Sequence, residues 1–356
     1  MNMEPKDLPR TEDWYSDHKI RKFLGNPYPI GELAKLLYKN TVRISRKHGE
    51  LTKYLPKKTV LNEITPKYTL GFVGDLMEMN VYDLRLSPEV VAFFDVDLFV
   101  ANFEGTITDK KKVLLAQKHN EKIIDVLKRI QSPEQTVLSL SNNHGGDFGL
   151  EAFERSRALL HDHGFNTIGR RDQPSFSYEN KIQVVNGTMW SNQQACTYLS
   201  RFDEVISTYD SDQFSIFYPH WFYELELYPR PEEIQMVHDL LKNWQLIVGH
   251  HSHVPQPVSS FSMDGISKLV AFSLGDFCTG IDISRYKYGI ILKVEIGPLL
   301  EHQAESNPSQ WAVGKVEWEF VHSNWLVTKR EARKKKKDPV VQVEVVEKCP
   351  FFRGDL

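Results

Sequence analysis

Short apolar runs alternate with amphipathic segments between residues 68 and 168, and this alternation limits the folds open to the chain. The runs have the length of strands, and the segments between them carry apolar residues at helical spacing. The predicted strands are Tyr68–Val73, Val96–Asn102, Thr136–Leu140 and Phe165–Ile168. The predicted helices are Ser87–Phe94, Glu121–Gln131 and Leu150–His163. Strands joined through helices run parallel, so the sequence predicts an α/β fold with a mainly parallel sheet.

The second half of the chain has one clear helix, Pro231–Trp244, and a series of strands. The predicted strands are 181–187, Gln213–Tyr218, Gln245–Val248, Val258–Ser262, Lys268–Ser273, Gly289–Ile296 and Trp311–Phe320. The last four follow one another without helices between them. This succession favours an antiparallel part of a sheet.

The two ends of the chain differ from the centre, so we predict three parts. Residues 1–67 form an N-terminal extension, residues 68–325 the main domain, and residues 326–356 a basic tail. The extension includes a basic amphipathic helix, Gly31–His48, and the tail includes the charge run Lys329–Lys337 and an alternating strand, Val340–Glu347. Either basic segment could contact a membrane surface peripherally, but we favour packing of the helix on its own domain and solvation of the run.

Composition excludes several classes of protein. The formal net charge is −3, so the chain as a whole has no electrostatic attraction to nucleic acid. We therefore expect no nucleic-acid partner. The three cysteines are far apart and do not suggest a disulfide framework. The N-terminus lacks an apolar signal segment, and no apolar run reaches about 18 residues. We therefore expect a soluble cytoplasmic protein; the sequence does not indicate its oligomeric state.

Five predicted strands end directly before possible metal ligands. These ligands are Asp75, Glu104, Asn143 with His144, His220, and the histidines of Gly249–His253. In α/β sheets, ligands bind beyond the carboxyl ends of the strands, where such loops converge. Buried carboxylates are costly unless they are paired or bind metal. A mixture of carboxylate, amide and imidazole suits a two-metal site better than a structural zinc.

The order of these motifs resembles the calcineurin-like metallophosphoesterases and, more closely, the CapA/PgsA family of capsule and poly-γ-glutamate biosynthesis proteins. The segments that carry the resemblance are Phe72–Met77, Ala101–Gly105, Ser139–Gly149, His220–Glu224, Ile247–Val258 and Phe272–Phe277. Together they span roughly Tyr68 to Ile281. The resemblance implies a four-layer α/β/β/α sandwich of the metallo-dependent phosphatase type.

The resemblance also implies a role for each motif residue in a site with two divalent metal ions (Mn, Fe or Zn). The implied metal ligands are Asp75 and His253 for the first ion, Glu104 as a shared carboxylate, and Asn143, His220 and His251 for the second. The Gly-His-His-x-His spacing also admits His250; we prefer His251 because it forms His-x-His with His253.

His144 matches the histidine that assists catalysis in the family. Asp147 lies three residues further on, and we propose that it orients His144. The alternative is that Asp147 caps the helix beginning near Leu150.

The sequence departs from the family pattern at several positions. Met77 stands where the superfamily usually has a ligating histidine, and a thioether is a poor ligand for hard divalent metals. The adjacent Glu78 could compensate, although we favour a solvated side chain. Phe222 replaces the glycine of the family's His-Trp-Gly, and Asp276 replaces an asparagine, adding a carboxylate near the site.

We therefore expect a metal-dependent hydrolase in which a metal-bound hydroxide attacks a phosphoester or a γ-glutamyl amide, in capsule or poly-γ-glutamate metabolism. The alternative is a non-catalytic metal-binding component of a complex that synthesises a polyanionic polymer. The substrate would be an anionic small molecule or polymer. Its candidate contacts are Lys118, Arg170, Arg171, Trp190, Asn192, Trp221 and Glu224.

Overall fold

The computed structural model describes residues 27–112, 115–193, 196–300 and 310–352, which form two large β-sheets with helices on their outer faces and a small sheet of two strands, β5 and β6. The strands, in chain order, are β1 Lys58–Val60, β2 Tyr68–Met77, β3 Asp83–Leu86, β4 Leu98–Glu104, β5 Thr106–Ile107, β6 Lys118–His119, β7 Thr136–Ser139, β8 Asn166–Ile168, β9 Ser175–Tyr178, β10 Ile182–Val185, β11 Phe214–Phe217, β12 Leu246–Val248, β13 Val258–Met263, β14 Ile266–Ala271, β15 Asp276–Thr279, β16 Tyr288–Pro298, β17 Trp311–Val327 and β18 Val340–Val346. The α-helices are α1 Ile30–Thr41, α2 Pro88–Phe93, α3 Ile123–Leu127, α4 Leu150–Asp162, α5 Phe202–Val205, α6 Pro231–Leu240 and α7 Lys329–Lys335.

The larger sheet has ten strands, with the main order β3-β18-β17-β16-β2-β4-β7-β8; β1 pairs with β17, and β15 pairs with β2. Strands β2, β4, β7 and β8 are parallel, as the helices between them require. Strands β16, β17 and β18 are antiparallel. The smaller sheet has the order β13-β14-β12-β11-β10-β9, with a parallel centre and antiparallel edges.

The alternating side chains of β4 separate two layers of core. Leu98 and Val100 face the smaller sheet, whereas Phe99 and Ala101 face α2, α3 and α4. On the far side of the smaller sheet, Phe217 of β11 contacts Phe202 of α5 and Trp244, which follows α6. The order of layers is therefore helix, sheet, sheet, helix, and the predicted α/β/β/α sandwich is confirmed.

The strand–helix alternation is also confirmed, with one correction in the N-terminal extension. The predicted helix Gly31–His48 ends at Thr41 in the structure. The β-branched residues Thr41, Val42 and Ile44 disfavour further helix, and the chain turns so that Ser45 exchanges backbone hydrogen bonds with Leu225 and Leu227.

The basic tail joins the main sheet. Strand β18 lies between β3 and β17, pairing parallel with the first and antiparallel with the second. The predicted charge run forms the short helix α7, whose lysines and arginines are exposed, so its solvation is confirmed. The three-part division of the chain remains a prediction.

Two further findings concern the cysteines and the lengths of the helices. The three cysteines are buried free thiols, consistent with the absence of a disulfide framework. Within the described ranges, no helix has the length and apolar character needed to cross a bilayer.

Candidate metal centre

The carboxyl ends of β2, β4 and β7 bring the first polar residues of the site together. In the parallel register, Asp75 lies beside Asn102, Met77 beside Glu104, and Asn102 beside Ser139. Side chains alternate along a strand, so Asn102 and Glu104 share the inward face of β4 with Val100. The strand therefore changes from apolar to polar at its end while facing the smaller sheet.

Strands β11 and β12 of the smaller sheet bring the histidines. His220 follows β11, and the Gly249–His253 segment follows β12; a parallel bridge pairs His220 with His250. Gly249 packs where a side chain has no room, because an added Cβ would collide with the Trp221 indole nitrogen and the Phe272 carbonyl. This contact fixes the start of the histidine segment against its own sheet.

The histidine segment has an unusual backbone. His251 and His253 have φ angles of 99° and 55°, a region that side-chain-bearing residues seldom occupy. The His251 amide donates to Asp75 Oδ2 at 3.1 Å and holds the segment against β2. Such conformations concentrate at functional sites, where the surrounding structure enforces them.

Asp75, His253 and Asp276 form one group of possible ligands. His253 Nδ1 lies 2.8 Å from Asp276 Oδ1 and 3.2 Å from Asp75 Oδ2. Strand β15 carries Asp276 alongside Asp75 in β2. All three side chains are buried.

His220 and Asn143 form the core of a second group. His220 Nε2 lies 2.9 Å from Asn143 Oδ1, and its Nδ1 lies 2.8 Å from His250 Nδ1. His250 Nδ1 is also 3.4 Å from Asp75 Oδ1. Asp75, His220 and His250 form a further group of possible ligands, and His251 groups with Glu104 and His253.

Glu104 groups with His251 and His253 and is fully buried, yet neither of its carboxylate oxygens has a hydrogen-bond partner among the described residues. The same holds for His250 Nε2, His251 Nδ1 and Asp276 Oδ2. Leaving such atoms unsatisfied costs about 1–3 kcal/mol each. Carboxylate oxygens and imidazole nitrogens that converge in this way fit divalent metal ions.

The electrostatics of the carboxylates reflect their crowding. Burial alone would raise the pKa of Asp75, but hydrogen bonds with His250 and His253 hold it well below its usual value. Burial and then the charge of Asp75 raise the pKa of Glu104 well above its usual value. Burial raises the pKa of Asp276 to about 7, although His253 opposes the shift.

The histidines divide into two kinds. Burial lowers the pKa values of His220, His250 and His251, which keeps these imidazoles neutral. Burial would also lower the pKa of His253, but the charges of Glu104 and Asp276 outweigh it and raise that pKa well above its usual value. Neutral imidazole is the form of histidine that binds metal.

His144 lies in the turn after β7, at the edge of the cluster. Its Nδ1 is 2.6 Å from Asp147 Oδ2, and its Nε2 is 3.8 Å from Glu104 Oε1. Asp147 also accepts from the Gln117 amide at 2.8 Å. The N-cap of α4 is Gly149, and no described side chain caps this helix, so the alternative position of Asp147 as a helix cap is wrong.

The structure shows where Met77 and Asp276, two of the departures from the family pattern, are located. Met77 is buried in the core between the sheets. The expectation of a solvated Glu78 is wrong: its side chain is buried and pairs with Lys112 at 2.6 Å. Asp276, the carboxylate that replaces an asparagine, lies inside the cluster.

The candidate substrate contacts are scattered. Lys118 donates to the Lys110 carbonyl at 2.9 Å, and Arg170 pairs with Glu154 and Asp172. Trp221 is buried, donates to the Phe272 carbonyl at 2.9 Å and stacks on Phe222, and its role as a substrate contact stays a prediction.

The remaining candidate substrate contacts are also scattered. Arg171 pairs with Glu204 at 2.6 Å, away from the metal centre, whereas Asn192 lies 3.3 Å from His144 Nδ1. Glu224 and Trp190 both contact Tyr28.

Sequence reasoning missed two residues of the site. Asn102 donates to Asp75 Oδ1 at 2.7 Å and accepts from Ser139 and Asn142, linking three strand ends. Its position two residues before Glu104 on the same strand face could have identified it. Tyr28 reaches His251 from the N-terminal extension, at a sequence distance that leaves no local signal.

The fold and the site together define a two-sheet α/β protein with a buried candidate metal centre between its sheets. The family model described as bacterial capsule synthesis protein PGA_cap matches residues 69–191 and 171–280, which cover more than half of the chain. The chain therefore belongs to this family, and the predicted capsule-synthesis relationship is confirmed.

Comparison with curated proteins found no match. Among solved structures, the chain is similar to a hypothetical protein from Thermus thermophilus, at 14% identity and a TM-score of 0.37, over 79% of this chain and 100% of that chain. It is also similar to the calcineurin-like phosphoesterase YfkN from Bacillus subtilis, at 14% identity and a TM-score of 0.40, over 74% of this chain and 91% of that chain.

Proposed function

We propose that the protein is a metal-dependent hydrolase that cleaves a phosphoester or a γ-glutamyl amide in an anionic substrate, within capsule or poly-γ-glutamate metabolism. The observation that carries the proposal is the buried cluster of carboxylates and histidines with partnerless atoms, next to the His144–Asp147 pair. Core packing does not account for carboxylates buried this close together.

The residues divide naturally between two metal ions. Asp75, His253 and Asp276 would hold one ion, and Asn143, His220 and His251 the other, with Glu104 shared. Divalent ions bound there would supply Lewis acidity and activate water at neutral pH. His250 would orient His220 through the contact between their Nδ1 atoms, as partners behind metal ligands commonly do.

His144 is the proposed acid–base residue. Asp147 lies at hydrogen-bond distance from its Nδ1, which leaves Nε2 facing the cluster. A protonated Nε2 would donate to the leaving group as the scissile bond breaks, and Asp147 would stabilise the imidazolium. Asn192, 3.3 Å from the same ring, would limit its rotation.

Turnover tests the proposal. A panel of phosphoesters and γ-glutamyl peptides should be assayed with Mn, Fe and Zn, in wild type and in His144→Gln. His163→Gln serves as the matched control, because His163 is a partly exposed residue after α4. We expect one substrate class to turn over, with loss only in His144→Gln. Absence of turnover across the panel in metal-loaded protein would contradict an enzyme.

The alternative function is a non-catalytic metal-binding component of a complex that makes a polyanionic polymer. The crowded acidic groups Asp75, Glu104 and Asp276 would then hold ions that bridge to the polymer. This protein would bind the polymer only with metal present and would hydrolyse nothing. Metal-dependent binding of an oligoglutamate without cleavage would favour this alternative over the hydrolase.

We also propose peripheral contact with an anionic membrane through α1. The helix leaves Ile30, Leu37 and Tyr38 about half exposed, with Val42 directly after it. The exposed cations that follow are Arg43, Arg46 and Lys47, and none has an acidic partner in the described part of the chain. Exposed apolar and basic side chains side by side fit a surface of acidic headgroups.

Vesicle co-sedimentation tests this contact. Phosphatidylglycerol vesicles should bind the wild-type protein. A triple variant that combines Arg43→Ser, Arg46→Ser and Lys47→Ser should lose about 1 kcal/mol of binding free energy per charge removed. The charge-matched control is Lys334→Ser, Lys335→Ser, Lys337→Ser on and after α7. Equal loss in both triple variants, or sedimentation without vesicles, would refute the α1 surface in favour of diffuse charge or self-association.

A further inference from the structure

Tyr28 reaches into the candidate metal centre from outside the region that matches the family. The family match begins at residue 69, whereas Tyr28 lies just before α1. Its hydroxyl lies 2.5 Å from His251 Nε2 and donates to Glu224 Oε1 at 3.3 Å. The side chain is 1% exposed, and its ring packs edge-on against Trp190 at 4.8 Å.

The chain holds Tyr28 firmly in this place. In α1, Lys39 donates to the Glu224 carbonyl and pairs with Glu226 at 2.9 Å. Arg230 pairs with Glu32 at 2.7 Å, also in α1. These partly buried contacts clamp α1 to the loop after His220, so the position of Tyr28 is set by the same loop that carries the site.

These two contacts of the Tyr28 hydroxyl indicate which ring nitrogen of His251 carries the proton. The Tyr28 hydroxyl has one proton, and Glu224 accepts it. For both contacts to be hydrogen bonds, the hydroxyl accepts from His251, and the one N–H of the neutral imidazole lies on Nε2. This leaves Nδ1 of His251 as a bare lone pair, buried and without a partner among the described residues.

We propose that Tyr28 is a positioning residue of the metal centre: through Nε2 it selects the tautomer of His251 that presents Nδ1 to the metal. The opposite tautomer would carry its proton on Nδ1, and a protonated ring nitrogen cannot bind a metal ion. Glu224 completes the relay by accepting from Tyr28. The inference rests on the proposed metal binding and extends it to the N-terminal extension of this chain.

Metal affinity measured by chelator competition tests the proposal in Tyr28→Phe. Loss of a hydrogen-bonding partner behind a metal ligand typically weakens metal binding 10- to 100-fold, and we expect a loss in that range for one of two ions. Cobalt(II)-loaded protein should show a changed visible spectrum in the same variant. The matched control is Tyr54→Phe, because Tyr54 also has a buried hydroxyl but lies in the core beside Trp318.

The outcomes separate this inference from the proposed function. If wild type binds no metal, the proposed function fails. If wild type binds two ions and Tyr28→Phe binds them with equal affinity and an unchanged cobalt spectrum, only the role of Tyr28 is overturned.

A measurement on wild type covers the case in which Tyr28→Phe does not fold. Histidine side-chain ¹⁵N–¹H correlation spectra of the zinc-loaded full chain report which ring nitrogen carries the proton. We expect His251, assigned by loss of its signals in His251→Gln, to show protonated Nε2 and coordinated Nδ1. A coordinated Nε2 with protonated Nδ1 would overturn the proposal.

Discussion

The clearest indication of a metal site in this protein is a set of buried side-chain atoms that have no hydrogen-bond partner among the described residues. Both oxygens of Glu104, one ring nitrogen each of His250 and His251, and one oxygen of Asp276 are buried without partners among the described residues. By contrast, the neighbouring Asn102 side chain donates to Asp75, and His253 Nδ1 contacts Asp276. Apart from the one on His250, these atoms lie on residues that are proposed to hold the two ions.

At this scale we predict the effect of removing the acid–base histidine. His144→Gln should lower kcat on the best substrate by roughly 10²- to 10⁴-fold, because the leaving group loses its proton donor. Asp147→Asn should cause a smaller loss, since the imidazole remains but loses its orienting charge. Steady-state kinetics at matched metal content checks both. A kcat unchanged in His144→Gln would remove this residue from the chemistry.

A second residue-scale prediction concerns Gly249. Gly249→Ala should lower the free energy of unfolding by about 1–3 kcal/mol, because the new Cβ collides with Trp221 and Phe272. Gly31→Ala is the control, since its Cβ would meet open space in α1 and should add about 0.5–1 kcal/mol. Urea unfolding measures both changes. Equal stability of Gly249→Ala and wild type would argue against the tight packing of this segment.

At the scale of elements, helix α6 carries a buried acid at its first turn. Glu233 is 4% exposed and accepts from the Arg230 amide at 2.8 Å, while its second oxygen has no partner in the described part of the chain. Burial, with the charge of Glu226 adding to it, raises the pKa of Glu233 to about 8. The folded state therefore retains this proton where the unfolded state, with a pKa near 4.5, has lost it.

This shift predicts a pH dependence of stability. The stabilising effect of the protonated carboxyl is complete below about pH 4.5 and is lost as the pH rises toward 8, with a slope of up to about 1.4 kcal/mol per pH unit. Glu233→Gln should remove this contribution, so its stability relative to wild type should increase from pH 5 to pH 8. Parallel stability curves for the two proteins over that range would show that the shift is absent.

The elements that the sequence predicted well are those with strong local patterns. The apolar runs of β2, β4 and β7 and the periodic residues of α4 needed no information from distant parts of the chain. The end of α1 was wrong because backbone pairing of Ser45 with Leu225 and Leu227, which are distant in sequence, overrides the helical pattern. The charge run gave no hint of α7, since its lysines are solvated whether or not they are helical.

At the scale of the whole molecule, ligands that directly follow strands were predictable, and ligands placed by tertiary contact were not. Asp75, Glu104 and His220 were candidates because each lies at a strand end. Tyr28 depends on the clamp between α1 and the loop after His220, which no local pattern reveals. The burial of Glu78 against Lys112 likewise depends on two separate loops.

Metal removal should affect the stability of the whole fold. Asp75, Glu104 and Asp276 are buried together, so ions bound among them should stabilise the folded state. At a free ion concentration about 100 times the dissociation constant, we expect about 2.7 kcal/mol of stabilisation over chelator-treated protein. Thermal and urea unfolding with and without added Mn or Zn measure this difference. Identical unfolding of the two forms would argue against binding at this site.

Elemental analysis of the purified full chain tests the central claim most directly. We expect close to two transition-metal ions per chain in wild type after incubation with Mn, Fe or Zn and removal of free ions. The Asn143→Ala, His251→Ala double variant should retain clearly fewer, because two proposed ligands of one ion are lost. Wild-type protein that remains metal-free under these conditions would contradict the two-metal account.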